Sequence, residues 1–173
     1  RRTRLKLPNA PLSVQRRNHF HWNSSRSPEL ADFFTIGYSG RNPPQFIAAL
    51  TAVSVRSLID IRFTPLSQYR PEFSKGNLRQ LLQSHGITYL HRPDLGVPRD
   101  IRGMAVGADS RAPIWDWYDQ IVVPSYAGLN LDDFFNSADH PVAFMCTELD
   151  PTACHRHRLT IALERFGLRS FDL

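Results

Sequence analysis

The sequence predicts an α/β protein, with a mostly parallel central sheet of four to five strands that is flanked by helices on both faces. Its length and composition, 173 residues of which 42% are hydrophobic, are those of one ordinary globular domain. Short apolar runs that do not alternate with polar residues are typical of strands buried on both faces. These runs are separated by segments in which apolar residues recur at helical spacing, which favours a parallel sheet.

The net charge of +5 is concentrated at the N-terminus. Residues 1–32 hold seven basic residues against two acidic ones, whereas the remaining 141 residues hold 14 of each kind. We therefore expect residues 1–32 to form a disordered basic tail and residues 33–173 to form a single α/β domain. The tail also has the acid-poor, Arg- and Ser-bearing composition of a transit peptide.

Three apolar strands joined by two helices are predicted in the first half of the domain. The first helix is expected to begin at Pro43 and Pro44, because proline is favoured at the first helical position. Ser74 is expected to cap the second helix and Gly86 to end it. The predicted elements are strand Phe33 to Gly37, the helix from Pro43 with Phe46, Ile47, Leu50 and Val53, strand Ser57 to Ile61, the helix after Ser74 with Leu78, Leu81 and Leu82, and strand Ile87 to Leu90.

A long polar segment, His91 to Pro113, opens the second half. It is too long for an ordinary connection, so we expect it to be functional or mobile. The elements predicted after it are a helix over Ile114 to Tyr126, a short helix over Leu131 to Ser137, strand Val142 to Met145, a helix from near Thr152 to Gly167, and an edge strand over Leu168 to Phe171.

Polar and reactive side chains follow the predicted strands. Ligands bind at the carboxyl ends of strands in open parallel sheets, so we expect a pocket at this edge. In the first turn of the last helix, the positive end of the helix dipole favours a Cys154 thiolate or a bound anion, and the planar guanidinium of Arg156 suits phosphate or carboxylate. The candidate site residues are Tyr38 and Ser39 after strand one, Asp60, Arg62 and Ser67 after strand two, Cys146 and Glu148 after strand four, and Cys154, His155 and Arg156 at the last helix.

Several of these residues also have a structural interpretation. Free cysteine is among the most buried residue types, so Cys146 and Cys154 are either reactive groups or packing residues. Asp60 and Arg62 face the same side of strand two, and Asp60 is either a base or half of a structural ion pair. Tyr38 either closes the pocket or belongs to the core.

Four soft or borderline metal donors lie within the twelve positions from 146 to 157, namely Cys146, Cys154, His155 and His157. His155 and His157 are two apart on a predicted helix and cannot face one ion together, so we expect no metal and no cofactor. A Cys146–Cys154 redox pair stays open, although its spacing is not the dithiol motif of thioredoxin-like proteins. Two cysteines are too few for a dense disulfide framework, which indicates a reducing compartment: the cytoplasm, or an organelle if the tail is a transit peptide.

Four ordered motifs carry a resemblance to a known family. They are Thr35-Ile36-Gly37-Tyr38-Ser39-Gly40; Asp60-Ile61-Arg62 with Pro65 and Ser67; Gly86-Ile87-Thr88-Tyr89-Leu90-His91 with Leu95-Gly96; and Met145-Cys146-Thr147-Glu148 with Cys154-His155-Arg156. Over about residues 33–170 the chain resembles the domain of unknown function 488 family, DUF488. Two features depart from the family pattern: Leu95-Gly96-Val97 has one glycine where a second is common, and the basic tail lies outside the match.

The resemblance implies the fold and a pocket, but it names no activity. Positions that match its motifs become candidate site residues, with Cys154, Asp60 and Glu148 as the catalytic candidates. The matched positions are Tyr38, Asp60, Arg62, Ser67, Cys146, Glu148, Cys154, His155 and Arg156.

The leading functional hypothesis is an α/β domain with an anion pocket at the carboxyl ends of its strands, which is either a ligand-binding domain or a cysteine-dependent transferase or hydrolase with Cys154 as its candidate nucleophile. Its pocket is expected to bind a small anionic ligand, a phosphate or a nucleotide, through Arg62 and Arg156. The apolar stretches are shorter than the roughly 20 residues that span a bilayer, so no membrane partner is expected.

The main alternative is a non-catalytic nucleic-acid-binding module. In it, arginines of the tail contact phosphates while Tyr38, Trp115 and Trp117 stack on bases. The neutral charge of residues 33–173 argues against this function for the folded body. A scaffold protein without chemistry is the third hypothesis, and it predicts no response to any ligand.

Overall fold

A five-stranded, fully parallel sheet forms the centre of the computed structural model, which describes residues 27–106, 110–126, 129–136 and 138–173. The strands are β1 Phe33–Gly37, β2 Ser57–Asp60, β3 Thr88–His91, β4 Val142–Cys146 and β5 Ser170–Asp172. Their order across the sheet is β3-β2-β4-β1-β5. The predicted α/β class is thereby confirmed. Except for residues 27–32, the predicted basic tail lies outside the described residues.

Helices cover both faces of the sheet, as predicted. They are α1 Pro43–Ala52, α2 Lys75–Gln83, α3 Arg99–Gly103, α4 Ala112–Trp117, α5 Val123–Ser125, α6 Leu131–Phe134 and α7 His155–Glu164, with a π-helical turn Tyr118–Val122 between α4 and α5. Successive strand residues point to opposite faces, so Phe144 and Met145 of β4 belong to different apolar cores. The helices α1 and α2 close one core, and α4, α6 and α7 close the other.

Local capping explains where α1 begins, but not where α2 begins. Asn42 and Gln45 form a reciprocal capping box before α1, and Pro43 occupies its first position. Ser74 is the N-cap residue of α2, but its side chain does not cap the helix as the sequence suggested. Its Oγ instead accepts the N–H of Ser67 at 3.1 Å and so ties the loop after β2 to the start of α2.

Two differences from the predicted elements affect the site. The segment His91 to Pro113 contains α3, which carries no buried residue and therefore shows no helical hydrophobic period. The last helix begins at His155 rather than near Thr152, because Pro151–Ala153 forms a 3₁₀ turn. Cys154 is therefore the N-cap residue of α7 and not part of its first turn.

The topology places a crevice at the carboxyl end of β4. The connections that leave β1 and β2 contain the helices of one face, whereas the connection that leaves β4 contains α7 on the other face. When neighbouring strands send their connections to opposite faces of the sheet, a crevice opens beyond the ends of those strands. In the described part of the chain, none of the helices is both long and apolar enough to cross a membrane.

Candidate active site

A small pocket of about 90 Å³ lies beyond the end of β4. The residues that line it include Arg62, Thr64, Arg102, Cys146, Glu148 and His155. They come from the loop after β2, from α3, from the end of β4 and from the start of α7. The pocket therefore brings together parts of two of the four motifs, the second and the fourth.

A cysteine pair and a histidine meet at this pocket. Cys146 Sγ lies 3.7 Å from His155 Nδ1, and Cys154 Sγ lies 3.9 Å from the same nitrogen. Cys146 ends β4 on the pocket side, where it is 4% exposed, whereas Cys154 is 1% exposed and is not among the pocket-lining residues. Of the two sulfur atoms, Cys146 Sγ is the one placed to meet a ligand.

The backbone fixes the orientation of His155. Its Nε2–H donates to the carbonyl oxygen of Ile61 at 3.2 Å, which leaves Nδ1 as the acceptor that faces both sulfur atoms. Burial opposes the charged imidazole, but hydrogen bonding to Cys154, with smaller contributions from the Ile61 carbonyl and Glu148, raises the pKa of His155.

Glu148 completes the polar wall of the pocket. Its Oε2 accepts from the Cys146 thiol at 3.6 Å, and its Oε1 lies 3.5 Å from Nη1 of Arg111. Burial opposes ionisation of Glu148, yet a hydrogen bond from Cys154 and the charges of His155 and Arg111 lower its pKa. Glu148 is therefore a carboxylate near pH 7.

Cys154 lacks the activated environment that the sequence predicts for it. Burial and the neighbouring Cys146 sulfur raise the pKa of its thiol well above the ordinary value. As the N-cap residue, it also makes no hydrogen bond from its side chain to the helix. The geometry therefore favours Cys146 over Cys154 as the reactive thiol.

Asp60 and Arg62 form a buried ion pair, which is the structural alternative given above. The Asp60 carboxylate is 0% exposed and accepts from Arg62 Nε at 2.9 Å, Arg62 Nη2 at 2.6 Å and the Tyr89 hydroxyl at 2.7 Å. Arg62 Nη2 also donates to the carbonyl of Phe73 at 2.8 Å. With its oxygens occupied in this way, Asp60 shapes the loop beside the pocket rather than acting as a base.

Arg156 is buried against the loop that follows β4. It is 0% exposed, and its guanidinium donates to the carbonyls of Glu148 and Leu149 and to the Asp172 carboxylate. These bonds fix the loop that carries Glu148 to the start of α7 and to β5. Since its donors are used within the protein, Arg156 positions the site and does not bind the anion that the sequence suggested.

The remaining predicted residues also hold loops or the core. Tyr38 is 5% exposed and stacks on Phe73, with ring centroids 4.6 Å apart, in the core of the opposite face. The backbone N–H of Ser39 donates to the carbonyl of Thr147 at 2.9 Å. As described above, the N–H of Ser67 is bonded to Ser74.

A family model described as "Domain of unknown function DUF488" matches residues 42–163, which is more than half of the chain. The chain belongs to the DUF488 family. This confirms the resemblance drawn from the motifs. No curated protein and no solved structure matches the chain.

The DUF488 match covers the whole cysteine cluster. Cys146, Glu148, Cys154 and His155 lie within the matched residues, whereas Tyr38 and Ser39 precede them. The pocket described above is therefore part of the DUF488 domain itself.

Two arginines beside the pocket were not predicted from the sequence. Arg102 of α3 lines both the pocket and a neighbouring cleft of about 480 Å³, and Arg111, just before α4, also lines that cleft. The unusual length of the His91 to Pro113 segment is the sequence signal that drew attention to this region. An isolated arginine in a polar segment belongs to no motif, so the sequence alone could not single out Arg102 and Arg111.

Proposed function

We propose that this DUF488 protein is a cysteine-dependent transferase or hydrolase in which Cys146 is the nucleophile and His155 the general base. The observation that carries the proposal is the distance of 3.7 Å between Cys146 Sγ and His155 Nδ1, since both residues line the pocket. A nucleophile, a base and a group that orients the base form the arrangement used in covalent catalysis. Here the Ile61 carbonyl orients the base.

The catalytic cycle follows from this arrangement. The thiol proton of Cys146 passes to Nδ1 of His155, and the sulfur bonds to an electrophilic atom of the substrate. The leaving group departs with its electron pair and takes a proton from His155. Water or a second substrate, deprotonated by His155, then bonds to the transferred group as the bond to sulfur breaks, and the Cys146 thiolate takes the proton back from His155.

An anionic substrate is supported by the arginines beside the pocket. Arg102 contributes to both the pocket and the adjoining cleft, and Arg111 faces the same cleft. A planar guanidinium suits phosphate and carboxylate groups. The small volume of the pocket fits the reacting group alone, so the rest of the substrate occupies the cleft.

Selective alkylation tests the assignment of Cys146. With iodoacetamide, we expect the folded protein to be modified at Cys146 about tenfold faster than at Cys154, because Cys146 faces the pocket. His155→Gln should slow modification of Cys146, since it removes the base. The modified cysteine is identified by peptide mass spectrometry.

His157→Gln is the matched control, because it changes a histidine two residues further along α7. Modification of Cys146 in this variant should match that of the unaltered protein. Faster reaction at Cys154, or no effect of His155→Gln, would contradict the proposed pair.

Protection by an anion tests the role of the arginines. Inorganic phosphate should slow alkylation of Cys146 in the unaltered protein, and the protection should disappear in the double variant Arg102→Gln, Arg111→Gln. Arg79→Gln, an exposed change on α2, serves as the control. Equal protection in the unaltered protein and the double variant would remove these arginines from substrate recognition.

A further inference from the structure

Three buried side chains beside the pocket have the arrangement of a zinc site. The Cys146, Cys154 and His155 donor atoms all lie within 4.8 Å of one another. Glu148 lies beside this cluster, with its Oε2 3.6 Å from Cys146 Sγ, and a shift of its side chain would bring it to the ion as a fourth ligand. Thiolate, imidazole and carboxylate are the ligand types that zinc binds in proteins.

The distances agree with a tetrahedral ion. Zn–S bonds of about 2.3 Å and Zn–N bonds of about 2.05 Å place sulfur and nitrogen ligands roughly 3.6 Å apart around a tetrahedron. The two sulfur-to-Nδ1 distances here are 3.7 Å and 3.9 Å. Only small shifts would bring these donors into zinc geometry.

The surroundings of His155 also match those of a zinc ligand. Metal-bound histidine almost always donates its other ring N–H to a carbonyl or carboxylate, which orients the ring. Here Nε2–H donates to the Ile61 carbonyl and directs Nδ1 at the two sulfur atoms. Arg156 in turn holds the backbone of Glu148 through the carbonyl of that residue.

The spacing of His155 and His157 excludes only a metal site that needs both histidines. His155 and His157 do lie two apart on α7, but the cluster does not need His157. Its donors come instead from the end of β4, the loop after it and the start of α7, which meet because Cys154 precedes α7 as the N-cap.

We propose that this cluster binds one zinc ion through Cys146, Cys154, His155 and Glu148, and that bound zinc holds the enzyme in an inactive state. Binding releases two thiol protons and forms two Zn–S bonds, with no change of oxidation state. The inhibitory part rests on the proposed function, because the ion occupies both the nucleophile and the base. Four protein ligands leave the ion no open position for a substrate.

Competition with a chromophoric chelator tests the binding itself, on the full chain with a phosphine reductant present. We expect one zinc ion per chain. The variants Cys146→Ser, Cys154→Ser and His155→Gln should each weaken binding by more than the roughly 10–100-fold that follows loss of an outer-shell partner. His157→Gln should leave the affinity unchanged, and circular dichroism checks that each variant folds.

Cobalt(II) gives a second readout that does not depend on affinity. It should produce the sulfur-to-metal charge-transfer absorption and the visible bands of a tetrahedral thiolate complex, and Cys146→Ser should reduce the former. Absence of stoichiometric zinc binding, or binding that survives all three ligand substitutions, would overturn the proposed site.

Alkylation separates the zinc site from the proposed function. Metal-free protein should be alkylated at Cys146, and one equivalent of zinc should suppress the reaction. Zinc binding without any Cys146 reactivity in metal-free protein would support the site and contradict the thiol enzyme. Reactive Cys146 that zinc fails to protect would overturn the inhibitory role.

Discussion

Arg156→Ala should lower the free energy of unfolding by about 3–5 kcal/mol, the usual loss when one partner of a buried ion pair is removed. The side chain is fully buried, and its removal leaves the Asp172 carboxylate and the carbonyls of Glu148 and Leu149 without their donor. Urea unfolding followed by circular dichroism measures the loss. Zinc affinity should fall as well, because Glu148 is no longer held beside Cys146.

Arg158→Ala is the matched control on the same helix. Arg158 pairs with Asp119, but both side chains are about one quarter exposed, at 24% and 28%. Partly exposed pairs of this kind contribute about 0–1 kcal/mol. Arg156→Lys adds a further comparison, since one ammonium group cannot reach all three acceptors. If Arg156→Ala destabilises the protein no more than Arg158→Ala, the structural role assigned to Arg156 is wrong.

Gly37→Ala should destabilise the protein by about 3 kcal/mol, at the upper end of the usual range for overpacking. A Cβ at this position would lie 1.7 Å from the carbonyl oxygen of Glu148, which is backbone and cannot swing aside. The loop after β4 must therefore move away from β1. Thermal and urea unfolding measure the loss of stability, and the zinc titration measures the effect on the site.

Gly76→Ala provides the contrast. Gly76 lies near the start of α2, and a Cβ there meets nothing within 4 Å. Alanine should stabilise this helix by about 0.5–1 kcal/mol, because it restricts the unfolded chain. Similar effects at the two glycines would show that the loop after β4 does not press on Gly37.

Burial on both faces explains why β1, β2 and β4 could be predicted from the sequence. Val142–Cys146 is buried at every position, so its apolar run is continuous. The helix α3 could not be predicted in the same way, because none of its residues is buried and no hydrophobic period marks it. The start of α7 was predicted too early in the chain, because Pro151 supports a 3₁₀ turn as readily as a helix start.

Several of the residues that line the pocket could be named from the sequence, but the roles proposed for them depend on tertiary contacts. Strand ends placed Cys146 and His155 at one edge of the sheet. Whether Asp60 serves as a base depends on Tyr89, 29 positions away, which completes its hydrogen bonds. The role of Arg156 depends on the backbone carbonyls that accept its hydrogen bonds. A sequence does not show which carbonyls lie near a given side chain.

The main chain supplies the acceptors that hold the two key side chains of the site. Ile61 orients His155 through its carbonyl, and Glu148 and Leu149 anchor Arg156 through theirs. Every residue type has a carbonyl, so related proteins are free to diverge at position 149, where the side chain is exposed, while the site persists; Ile61 is buried in the core, so position 61 should stay apolar. Evolutionary constraint should instead fall on Gly37 and Gly96, whose missing side chains let these backbone segments pass so closely.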